Sequence, residues 1–89
     1  MKRHKFIKAI GQEVKTGDII RYKETGCTWI VKIVSMEKVN NGIRIFGTLL
    51  PKWTRVQNDN GEWTKELFEG RDNYEGFVGF NKKLEIAID

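Results

Sequence analysis

Apolar residues return at every second position along nearly the whole chain, and no window of ten or more residues carries a 3.6-residue apolar stripe. Side chains that alternate between two sides belong to strands, which restricts the chain to an all-β fold. Gly, Asn and Asp signals divide the alternation into predicted strands at Lys5–Ile10, Asp18–Lys23, Cys27–Lys38, Ile43–Leu50, Trp53–Gln57, Glu62–Phe68, a short piece around Gly76–Phe80, and Leu84–Ile88. Only Thr64–Gly70 offers a helical turn instead. Pro51 cannot donate to a ladder and belongs at a strand end or edge. The 89 residues are read as one domain, a small barrel of five or six antiparallel strands with an added hairpin and a mobile basic arm over residues 1–5. With 39% hydrophobic residues and three tryptophans the chain is globular in composition.

Side-chain matching suggests a register for the hairpin around Asn40-Asn41-Gly42. A three-residue loop with Gly42 left-handed puts Val39 opposite Ile43, Met36 opposite Phe46, Ile33 opposite Leu49 and Lys38 opposite Arg44. In that register Cys27, Trp29, Val31 and Ile33 share a core-facing wall with Ile43, Ile45 and Leu49. The opposite face then carries Ile30, Lys32, Met36, Lys38, Arg44 and Phe46, a surface both cationic and apolar. A second hairpin closes through Asn58-Asp59-Asn60-Gly61 with two, three or four loop residues, and matching does not choose among them.

Charge is divided unevenly along the chain. Residues 1–55 hold twelve Lys/Arg against four acids, a net of +8, and residues 56–89 hold four against eight, a net of −4. Such a split points either to a basic face for a polyanion or acidic partner, or to two halves that neutralise one another on folding.

The inventory for chemistry is short. His4 lies in the basic N-terminal run, Cys27 reads as a small buried hydrophobe, and Ser35 is the only serine. Glu62, Glu66, Glu69, Asp72 and Glu75 are strung along one acidic stretch with no spacing that selects a dyad. Asn58-Asp59-Asn60-Gly61 lacks the later Glu of a calcium loop, and Gly70–Gly79 lacks the Lys-Ser/Thr ending of a phosphate loop. No catalytic residue, metal site or cofactor is therefore expected. Nor is a secretory leader or membrane span, since Phe6–Ile10 is short and interrupted by Lys8. One cysteine precludes an intrachain disulfide, and a cytoplasmic location follows as the expectation.

The run Val14-Lys-Thr-Gly-Asp-Ile-Ile-Arg-Tyr-Lys23, a Thr-Gly turn, Trp29-Ile-Val-Lys-Ile-Val34 and an Asn-Gly hairpin resemble the opening strands of SH3-like small barrels of the KOW or Tudor kind. The resemblance covers roughly residues 14–50 and departs from the KOW pattern after the first strand, where Glu24-Thr-Gly-Cys27 only approximates the glycine-centred element. A short, basic, cysteine-poor chain is also similar in style to the small early proteins of bacteriophages, which implies a regulator directed at a host enzyme in the host cytoplasm.

Two binding functions follow as expectations. The first is a non-enzymatic module for DNA or RNA, with Lys2, Arg3, Lys5, Lys32, Lys38 and Arg44 on phosphates and Phe46 or Trp53 stacking on bases. The second is a protein-binding regulator, a phage-encoded inhibitor of a host transcription or defence enzyme, gripping through Asn58, Asp59, Asn60 and Trp63.

Overall fold

The computed structural model describes residues 3–89. Its elements are β1 (Phe6–Ile10), a 3-10 turn (Gly11–Glu13), β2 (Ile19–Glu24), β3 (Cys27–Val39), β4 (Gly42–Leu49), β5 (Lys52–Gln57), β6 (Trp63–Phe68), β7 (Arg71–Gly79) and β8 (Lys83–Ala87). All eight strands expected from alternation are present, and the region expected to offer a helical turn is the strand β6. β7 is longer than the piece expected around Gly76–Phe80, because Arg71 to Glu75 also belong to the strand.

Six strands form one antiparallel sheet in the order β1-β8-β2-β3-β4-β7, and β5 and β6 pair separately. The larger sheet has to curl. β7 and β8 lie four strand steps apart, about 19 Å on a flat sheet at about 4.8 Å per step. Yet only Phe80–Lys82 connect them, a link that spans at most about 14 Å. β1 and β7 remain the two edges, without a ladder between them. The 3-10 turn sits in the gap, where the Gln12 amide donates to the Phe80 carbonyl and the Gly11 amide to that of Lys82, each at 2.9 Å. Across the interior, the Tyr22 and Tyr74 hydroxyls meet at 2.5 Å.

The bend has a local cause. β3 carries a bulge at Val34, between the pairs Ile33–Gly47 and Ser35–Phe46. On the other side of β4 the register slips again, so that Asp72 and Asn73 of β7 oppose Thr48 alone, with Asn73 at φ 60°. Gly47 lies between the two irregularities, and a Cβ there would collide with the Lys32 carbonyl. The sheet therefore folds along the line Val34–Gly47–Asn73.

The bulge corrects the sequence register. The β3–β4 loop has two residues, Asn40 and Asn41, with Val39 opposite Gly42, Lys38 opposite Ile43, Glu37 opposite Arg44 and Met36 opposite Ile45. Gly42 is a strand residue rather than a left-handed turn residue. Its missing side chain leaves room for the β7 backbone, where Gly79 Cα would lie 2.9 Å from a Cβ. Because Val34 absorbs one position, Met36 and Lys38 move to the side of Ile33 and Ile45, while Glu37 takes the place beside Arg44 expected for Lys38. The β2–β3 hairpin does close on its Thr-Gly turn, with Thr25 and Gly26 both at positive φ as a two-residue type I′ loop requires.

The core consists of Val14, Ile20, Tyr22, Val31, Ile33, Ile43, Ile45, Leu49, Val78 and Leu84. Five of them stood on the wall expected from alternation. Cys27, expected inward, is exposed, because it begins β3 immediately after the Thr25-Gly26 turn at the open margin of the sheet. Trp29 is half-buried.

β5 and β6 leave this body as an arm. The Leu50 amide makes a bond of 2.8 Å to the Ile30 carbonyl, and Pro51, lacking a donor, then turns the chain out of the sheet. At the base Phe68 packs edge-on against Trp29 with ring centroids 5.7 Å apart, and the Lys52 ammonium lies 4.5 Å from the Trp29 ring centre. The arm's loop is Asp59-Asn60-Gly61, three residues, with Asn58 bonded to Glu62 and Gly61 at φ 80°. The protein is accordingly elongated, 46 × 26 × 24 Å, with a radius of gyration of 14.1 Å where a compact chain of this length has about 12 Å.

Candidate nucleic-acid interface

Alternation that buries Ile20, Tyr22, Val31 and Ile33 turns Ile19, Arg21, Ile30 and Lys32 to the outer side of β2 and β3. With Arg3 and Phe6 on one flank and Leu50, Lys52 and Trp53 on the other, these residues line a groove of about 600 Å³. Its floor is apolar, it carries four Lys/Arg side chains, and no carboxylate lines it. Trp53, 61% exposed, stands at its arm end.

The cations differ in availability. Arg21 donates to Glu85 through Nε and Nη2 at 3.0 and 2.7 Å and lies 4.2 Å from the Phe6 ring centre. These hydrogen bonds raise the Arg21 pKa and lower that of Glu85. Lys52 donates to the Thr28 carbonyl and forms no ion pair with a carboxylate among the described residues. Among the described residues Arg3 and Lys32 have no ion-pair partner. On the other side of Arg21 lies a second depression, where Lys8, Lys23, Lys82 and Lys83 are interspersed with Glu13 and Glu85. Its mixed charge makes it the poorer seat for a polyanion.

Three of the residues expected from sequence, Arg3, Lys32 and Trp53, are brought together in the groove. Lys2 lies outside the described residues. Lys5 is exposed at the edge of β1, with its backbone tied to the C-terminal segment through Ile88 and the Asp89 carboxylate. Lys38, Arg44 and Phe46 do not join the groove, and the juxtaposition expected for the first two is absent. Arg44 holds Glu75 at 2.7 Å, a bond that raises its pKa, and faces Glu37 across the ladder. Phe46 lines a shallow depression with Asp72 and Glu75, an environment that repels phosphate.

Of the loop residues, Asn58 is committed to the loop itself, its Oδ1 accepting from the Asn60 and Glu62 amides at 3.0 and 2.9 Å. Asp59 and Asn60 are exposed at the tip, and Trp63 is 58% exposed. Sequence reasoning missed Arg21 and Lys52 as members of the basic face. The signal for Arg21 was available, since it alternates with Ile20 and Tyr22. The one for Lys52 was not, because its position depends on where Pro51 sends the chain.

The charge split is only partly cancelled by folding. Arg21–Glu85 and Arg44–Glu75 each join a cation of the first half to an acid of the second, and they are the only Lys/Arg ion pairs among the described residues. Comparison with protein-family models, curated proteins and solved structures finds no match.

Proposed function

We propose that the protein is a non-enzymatic nucleic-acid-binding module and that the groove between β1, the outer side of β2–β3 and the foot of the arm receives the phosphate backbone. The observation that carries this is the acid-free lining, with Arg3, Lys32 and Lys52 around an apolar floor and an open indole at its end. Cations for phosphates beside an aromatic surface for a base is the combination by which single-strand-binding proteins hold their ligands. The SH3-like kinship belongs to the same proposal, supported by the β2-β3-β4 meander and the bulge in its central strand.

The test is fluorescence anisotropy of labelled single-stranded DNA, duplex DNA and RNA at low salt, with Lys32→Ala beside the wild type. Binding that weakens in the variant supports the groove. No binding of any nucleic acid overturns the proposal, and the protein-binding function then takes its place. That second function is favoured by one observation, an indole 58% exposed next to the acidic tip residues Asp59 and Glu62.

A further inference from the structure

One face of the arm is built rung by rung from Trp53 opposite Leu67, Arg55 opposite Lys65 and Gln57 opposite Trp63. All six side chains are exposed, whereas the β5 residues of the opposite face, Lys52, Thr54 and Val56, are half-buried. The exposed face carries two cations and no acid. The acids of the hairpin lie elsewhere, Asp59 and Glu62 at the tip and Glu66 on the other face. Arg55 reaches along the face to within 5.4 Å of the Trp63 ring centre. Trp53 belongs both to this face and to the groove, so the two surfaces are continuous.

From this arrangement, and resting on the reading of the protein as a nucleic-acid binder, we infer that the arm is a stacking platform for a single strand. Bases lie on Trp53 and Trp63, and the phosphates between them meet Arg55 and Lys65. Two features select a single strand over a duplex. Indoles stack on base faces, which a duplex keeps inside its own stack and a single strand exposes. The acidic tip opposes tip-first entry of the hairpin into a phosphate-lined groove. Along the arm the two indole rungs are four residues apart, about 14 Å, room for about four stacked nucleotides at about 3.4 Å each. A strand of about twelve nucleotides, within the range of single-strand sites, would cover groove and arm together.

The intact protein is titrated with labelled DNA and RNA single strands of that length and with the matching duplex, following anisotropy and tryptophan quenching. Trp63→Ala is expected to weaken single-strand binding by about tenfold or more, in line with the loss of one stacked base. Arg55→Ala with Lys65→Ala is expected to weaken it and flatten its salt dependence, while Glu66→Gln on the other face leaves it unchanged. The wild type should prefer either single strand to the duplex. If the arm variants bind as the wild type does while Lys32→Ala binds less, the arm inference is overturned and the groove stands. Equal affinity for duplex and single strand also overturns it. Failure of the wild type to bind any of the probes removes both.

Discussion

The position of the basic site can be decided by the salt dependence of binding in two double variants. The structure offers five cations along the continuous track, Arg3, Lys32 and Lys52 in the groove and Arg55 and Lys65 on the arm. A single strand loses about 0.7 in log–log slope for each phosphate neutralised, so full engagement gives a slope of about −3.5. Raising salt fourfold should then reduce affinity by about a hundredfold. Arg3→Ala with Lys32→Ala removes two contacts and should bring the slope to about −2, so the same salt step costs only about twentyfold. Lys38→Ala with Arg44→Ala removes the same formal charge from the patch suggested by alternation alone. There Arg44 is held by Glu75 and Phe46 sits among acids, so the slope should stay near its wild-type value. Anisotropy titrations at four or five salt concentrations measure all three slopes. A patch variant that flattens the slope as much as the groove variant would refute the reasoning, because it would place the phosphates at Arg44.

Two further outcomes concern the fold. Gly47→Ala would drive a methyl into the Lys32 carbonyl at the bend line, and the backbone shift is expected to cost about 1–3 kcal/mol in urea denaturation; an unchanged midpoint would mean the close approach is relieved freely. Burial first, and then the hydrogen bond to Tyr74, push the Tyr22 pKa far above its ordinary value near 10. The unfolded chain therefore gives up this proton as pH rises through about 10 while the folded protein retains it, so the stabilisation present below that pH is lost above it. An ultraviolet titration should show Tyr22 ionising only with unfolding, and Tyr22→Phe should remove that alkaline loss; a Tyr22 that titrates near 10 in the folded protein would contradict the buried pair.

Much of the fold was legible because strand formation is written locally. Period-two alternation located all eight strands, and Thr25-Gly26 is a turn whose backbone demands are visible in two residues. Within each uninterrupted stretch of strand alternation also assigned the correct faces, as for Val31 and Ile33 of β3 before the bulge and for Ile43, Ile45 and Leu49 along β4. It failed beyond Val34. Side-chain matching presumes an unbroken ladder, and a bulge absorbs one residue without any compositional mark, reversing the sides of Met36 and Lys38. The same error displaced the candidate site, since a repelling Lys38–Arg44 pair existed only in the unbroken register. The arm hairpin was open between registers because its side chains are exposed on one face and make few apolar matches.

Alternating apolar residues, turn dipeptides and an uneven run of charge were enough, by themselves, to make this an antiparallel β protein with more cations in its first half than its own acids could cover. These are properties of short segments, set by side-chain period and backbone conformational cost. The curl of the sheet, the two slips flanking Gly47 and the exit of the arm at Pro51 depend on contacts between residues far apart in the chain, such as Tyr22 with Tyr74 and Trp29 with Phe68. Only those contacts set Arg3, Lys32 and Trp53 around one groove and moved Arg44 into the reach of Glu75. A charge's availability depends on which opposite charge the fold brings beside it, and that is a distance in space rather than in sequence.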